Sequence, residues 1–291
     1  MPPPDLTKLF LEERARRRAA AAGVGTSTSS KSEESVLESL ETRPALTLAD
    51  FDVGKNAPCP TSGLFYLPDF VTEGEEQQLL KAVRCHTNQG RWTTGNGGRR
   101  VANWGGRPSH VTVTEALPTW ATAIRDALFS RNVFSADDKN KGKHVKPNHV
   151  LVNEYASPHG IPAHNDGDVY APCVAILTLQ GDALIDFWEN DDGDVCAIGE
   201  DERENDEEDL RIENDLPKPT PRAQVMLRRR SLLVYKNEAY ELRHGIRRAY
   251  TDVIGNECVN LASANVEIDD RVQRGNTRVS IVFVIKRKPE E

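Results

Sequence analysis

Two rhythms of apolar positions divide the chain. Up to about residue 130 they recur at helical spacing. Leu79, Leu80 and Val83 form one such stripe, and Leu117, Ala121, Ile124 and Leu128 form another over Pro118–Phe129. The first helix has a start signal: Thr72 is followed three residues later by Glu75, the pattern of a capping box. Ahead of it, Leu64–Leu67 reads as a strand closed by Pro68-Asp69. Between the helices, Arg99–Gly106 reads as a loop that is both basic and aromatic. From Val150 onward the period changes to two. Strands are predicted at Val150–Tyr155, Cys173–Leu179, Ala183–Trp188, Gln224–Leu227, Ser231–Tyr235, Ala239–Arg243 and Thr277–Ile285, with turn residues between them. Many short strands with little helix between them predict a mainly β fold, a sandwich, jelly roll or barrel, with the two helices packed on one outer face.

This patterning starts near Gly63, so residues 1–60 read as an N-terminal extension and 61–291 as the folded domain. Within the extension, Asp5–Ala22 has the makings of a basic helix with Leu6, Phe10 and Leu11 as a short stripe, and Thr26–Ser35 has linker composition. The simplest expectation is a solvated tail, and the alternative is a targeting or partner-binding arm. A second polar segment, at 189–220, interrupts the strands. Glu189 to Asp215 holds fourteen acids and two bases, so the net charge of -8 comes from this block and the rest of the chain is mildly basic. The block reads as an acidic insertion between strands, and the basic remainder permits a nucleic-acid partner without requiring one. The 38% apolar content fits a core diluted by such segments. No run approaches a membrane span, and Met1–Asp5 lacks the basic-then-apolar order of a secretory signal. Five widely spaced cysteines (Cys59, Cys85, Cys173, Cys196, Cys258) read as free thiols of a reducing compartment, cytoplasm or nucleus.

The candidate chemistry begins with His164-Asn165-Asp166. On extended backbone, residues i and i+2 project to one side, so an imidazole and a carboxylate can face one metal. Two histidines and one carboxylate on one face are the usual ligands of Fe(II) in oxygenases, which keep the other positions open. HxD by itself is a common pattern, and its context adds to it. His244 stands at the end of a predicted strand in Leu242-Arg243-His244-Gly245. His159 is a rival ligand, but no acid follows it by two positions. Asn153 and Tyr155 share one strand face, and Arg278 and Ser280 share another. A buried Arg278 would be costly alone, and a bidentate carboxylate would resolve that cost.

Asn153-x-Tyr155, Ile161-Pro162-Ala163-His164-x-Asp166-Gly167, His244 and Arg278-x-Ser280 together resemble the AlkB-like dioxygenases over roughly residues 65–285. Three further runs, Asn103–Gly106, Asn148–Tyr155 and Arg230–Val234, are similar to the AlkB homolog 6 branch. The resemblance implies a double-stranded β-helix of the jelly-roll type and oxidative removal of alkyl groups. It implies Fe(II) on His164, Asp166 and His244, and 2-oxoglutarate, the cosubstrate alongside dioxygen, against Asn153, Tyr155, Arg278 and Ser280. The pattern departs once. The family's second arginine falls six positions after the first, and Val284 stands there, with Lys286 on the same face and Arg287 out of register.

The expected substrate is an N-alkylated base or nucleotide of DNA or RNA. Arg100, Asn103 and Trp104 would form a lid over it, and Asp168 and Tyr170 would line the pocket. Two alternatives stand beside it. One is a protein or small-molecule oxygenase. The other is a non-catalytic binding module on the same fold, which Val284 keeps open.

Overall fold

The computed structural model describes residues 46–94, 98–108, 115–134, 145–190 and 220–287. The predicted basic helix and linker, and nearly all of the acidic insertion, lie outside these residues. Thirteen strands follow in chain order among the described residues: β1 (Leu64–Leu67), β2 (Thr93–Thr94), β3 (Arg100–Trp104), β4 (His149–Ala156), β5 (Ile161–His164), β6 (Tyr170–Gln180), β7 (Ala183–Trp188), β8 (Ala223–Leu227), β9 (Leu232–Lys236), β10 (Arg243–Ile246), β11 (Thr251–Val253), β12 (Arg271–Gln273) and β13 (Thr277–Lys286). Helices α1 (Glu73–Val83) and α2 (Thr119–Ser130) precede most of the β structure, and the single turns α3 (Glu238–Glu241) and α4 (Leu261–Ala264) punctuate it.

Two antiparallel sheets carry the fold. The larger runs β1-β9-β6-β13-β4-β3-β2 and the smaller β5-β10-β7-β8, with β11-β12 as a separate ribbon. This is the mainly β jelly-roll core with flanking helices that the chain's periodicity and resemblance call for. Side-chain parity decides which residues go where. One core fills the space between the sheets, with Tyr155, Val174 and Val284 of the large sheet meeting Leu184, Phe187 and Val225 of the small one. The alternate residues of the large sheet, Val150, Ile281 and Phe283 among them, form a second core with Leu79 and Val83 of α1 and Ile124 and Leu128 of α2. The helices thus shield one face of the large sheet and leave its other face to the interior.

The capping box at α1 forms as the sequence predicts. Thr72 accepts from the Glu75 amide while the Glu75 carboxylate accepts from the Thr72 amide at 2.6 Å. Three local expectations are corrected. Arg100–Trp104 is strand β3, because pairing with β4 satisfies its backbone. The strand predicted at Ala239–Arg243 is instead the α3 turn followed by β10, since Ala239 and Tyr240 pack into the core from a helical turn. Packing also begins upstream of residue 61: Leu48 and Val53 are buried, and the Val53 amide donates to the Leu64 carbonyl.

Candidate active site

His164 is the last residue of β5 and Asp166 lies just beyond it, while His244 sits on β10. The two strands pair so that His164 and His244 are direct partners, with ring centroids 4.6 Å apart. Gly245 permits this close approach, for a Cβ there would lie 2.8 Å from the Ile161 carbonyl oxygen. One donor atom from each of His164, Asp166 and His244 lies within 4.8 Å of the others. His159 does not join them.

The protonation states suit metal binding. The His164 Nδ1–H donates to the Pro162 carbonyl at 2.9 Å, which leaves the Nε2 lone pair free to ligate. His244 is buried, and burial is the main cause that pushes its pKa down to about 4. It is therefore neutral at physiological pH, and its 3.7 Å approach to Asp166 is no ion pair. Tyr235, from β9, donates its hydroxyl to Asp166 Oδ2 at 2.7 Å and lies 3.1 Å from His244 Nε2. Burial, and then the Asp166 charge, raise the Tyr235 pKa, so the hydroxyl keeps its proton.

The second cluster lies on β4 and β13. Arg278 pairs with Tyr155 and Ser280 with Asn153 in the strand register, so the four side chains make one patch on the interior face. Arg278 is 4% exposed, yet its hydrogen-bond partners are all hydroxyls: Tyr155 at 3.2 Å, Ser280 at 3.1 Å and Thr178 at 3.1 Å. Its Nε and the Asn153 Oδ1 are buried without a partner. A buried guanidinium held only by neutral groups is a site that lacks its anion. The patch therefore fits a carboxylate ligand, and the His/Asp/His set fits a divalent ion with open positions.

The substrate expectations fare unevenly. Asn103 and Tyr170 face the interior near this cavity. Asn103 Oδ1 contacts His149 Nε2 at 3.2 Å, and burial and the Asp166 charge raise the Tyr170 hydroxyl to about 12. Asp168 is exposed just beyond the triad. Trp104 is corrected: it is 2% exposed and packs edge-on against Trp120 in the helix-side core, so it has no free face for a base. Arg100 is turned by its parity to the outer surface, where it pairs with Glu154 and lies over Trp92. Val284 is buried between the sheets, and the Lys286 ammonium donates to the Arg107 carbonyl at 2.7 Å. Tyr235, Thr178 and His149 went unnoticed in the sequence. A polar residue at an inward position of an aliphatic strand was the available signal for each.

No family model matches the chain. It is 33% identical over 231 residues to the probable RNA/DNA demethylase ALKBH6 of Danio rerio, covering 79% of this chain and 86% of that one. The chain belongs to the ALKBH6 family. It is thus an AlkB-like, Fe(II)- and 2-oxoglutarate-dependent dioxygenase. This ALKBH6 relative is also 32% identical over 133 residues to the alkylated DNA repair protein ALKBH8 homolog of Arabidopsis thaliana, a match spanning 43% of this chain and 36% of that one. It superposes on the structure of OsALKBH1 with a TM-score of 0.42 at 15% identity, over 76% of this chain and 97% of that one, a likeness too loose to bear on the argument. Among the described residues no helix is long and apolar enough to cross a membrane.

Proposed function

We propose that this ALKBH6-family dioxygenase removes N-alkyl groups from nucleic acid, with Fe(II) held by His164, Asp166 and His244 and 2-oxoglutarate held by Asn153, Tyr155, Arg278 and Ser280. The observation that carries the reading is a pair of complementary sites, one on each sheet. One is a His/Asp/His set with ligand atoms inside 4.8 Å, and the other is a buried arginine whose hydrogen-bond partners among the described residues are hydroxyls.

The chain's own residues have separate tasks in this reading. The bond from His164 Nδ1 to the Pro162 carbonyl orients its ring with Nε2 turned to the metal position, and burial keeps His244 neutral. Asp166 supplies the charge. Arg278 takes the far carboxylate of the cosubstrate, and the Tyr155 and Ser280 hydroxyls fix the guanidinium plane. When bound, iron and 2-oxoglutarate would supply dioxygen activation: one oxygen atom would end in succinate as carbon dioxide leaves, and the other would be inserted into the C–H bond to give a hydroxyalkyl group. On a methylated nitrogen that group departs as formaldehyde. The interior side chains exclude water and orient the alkyl group.

The mildly basic composition outside the acidic block supports a nucleic-acid substrate, as do the relatives' demethylase and DNA-repair descriptions. By composition, residues 1–45 read as an appended arm and 189–220 as an acidic insertion. Widely spaced thiols, four of them free among the described residues, support a cytoplasmic or nuclear setting. The test is formaldehyde and succinate release from N-methylated nucleosides, oligonucleotides and peptides. Release from oligonucleotides is expected. Release from peptides alone would reassign the substrate, and no succinate in any arm would overturn the oxygenase site.

A further inference from the structure

The interior face of the large sheet carries one row of partners across four strands: Tyr235 on β9, Val174 on β6, Val284 on β13 and His149 on β4. The middle of this row is apolar, and Val284 occupies the position where the resembling pattern has its second arginine. The row nevertheless offers a donor to the metal cluster at one end. The Tyr235 hydroxyl donates to Asp166 Oδ2 at 2.7 Å and stands 3.1 Å from His244 Nε2, so it touches two of the three candidate ligand residues.

Asp166 needs such a partner. It lies in the turn after β5, beyond the last backbone pairing of that strand. A carboxylate there has free side-chain torsions, and ordering it on metal binding costs entropy. Tyr235 sits on a central strand of the large sheet, paired on both sides by β1 and β6, and its ring packs edge-on against Phe187 at 5.7 Å. A rigid ring with a protonated hydroxyl holds the carboxylate in place ahead of the metal.

We propose that Tyr235 is a positioning residue for the iron centre, holding Asp166 beside His244 and giving the row a polar donor that Val284 does not. This rests on the ligand set proposed above.

The experiment titrates the full metal-free chain with Co(II), following dissociation constant and ligand-field absorption in wild type, Tyr235→Phe and Asp166→Ala. The Tyr235→Phe variant is expected to bind Co(II) roughly 10- to 100-fold more weakly and with shifted ligand-field bands. Binding within twofold of wild type overturns the proposal, and so does weaker binding with unchanged bands, which marks a merely structural role. If Asp166→Ala loses Co(II) while Tyr235→Phe does not, only the role of Tyr235 falls. If wild type binds no Co(II), or Asp166→Ala binds it as wild type does, the ligand set falls and the proposal with it. Should Tyr235→Phe not fold, Zn(II) added to wild type must give a near-ultraviolet tyrosine difference spectrum, and its absence overturns the proposal.

Discussion

His164 and His244, far apart in the chain, are direct cross-strand partners on β5 and β10. The contact is therefore fixed by the backbone ladder of the small sheet. Replacing either histidine, or Asp166, with alanine is expected to weaken divalent-metal binding at least a hundredfold. The fold should survive in the His164 and Asp166 variants, because His164 is exposed and Asp166 half-buried. Calorimetric titration beside a thermal melt checks both, and metal binding retained by Asp166→Ala would remove the carboxylate from the ligand set.

Arg278 is buried against hydroxyls, an arrangement that a carboxylate ligand would complete. Arg278→Met should leave stability without cosubstrate little changed or slightly improved, since replacing unpaired buried charge with apolar bulk is often neutral or better. The same variant should lose the thermal shift that 2-oxoglutarate gives wild type and raise its apparent KM roughly a hundredfold, equivalent to about 3 kcal/mol of charge-assisted bonding. An undiminished thermal shift would place the cosubstrate elsewhere.

Trp104 faces the helix-side core, packed on Trp120 at 5.3 Å. Trp104→Ala is expected to cost about 3–5 kcal/mol in chemical denaturation, the usual range for emptying an aromatic core site. Among molecules that remain folded, preference between substrates should be unchanged. A selective loss of nucleic-acid binding with normal stability would restore Trp104 to the substrate surface.

His149 gives a pH dependence with a definite sign. Burial and the nearby Lys286 charge lower its pKa to about 4 from an ordinary 6.5. The unfolded chain therefore takes up a proton that the folded chain refuses between those two values. The stability this histidine contributes is complete above about pH 6.5 and is lost as pH falls toward 4, amounting to about 2 kcal/mol by pH 5. Urea unfolding at pH 7 and pH 5 should show a smaller pH effect in His149→Gln than in wild type. Equal pH effects in the two proteins would contradict a buried neutral imidazole.

Much of the fold and the two candidate ligand groups could be read in the sequence because strand patterning is local. Alternation over Val150–Tyr155 and Thr277–Ile285 determined which residues share a face. That was enough to group Asn153 with Tyr155 and Arg278 with Ser280, while the two-residue spacing of His164 and Asp166 grouped that pair. The Thr72–Glu75 spacing determined where α1 begins, since both partners of the capping box lie within four residues.

Alternation does not say which face looks inward. Only the packing of α1 and α2 on the large sheet decided that Trp104 is core and Arg100 surface, while Asn103 between them turns to the cavity. Pairing between distant strands depends on the whole sheet rather than on neighbours in the chain. So the tertiary structure alone set His244 against His164, and it alone brought the Tyr235 hydroxyl to Asp166.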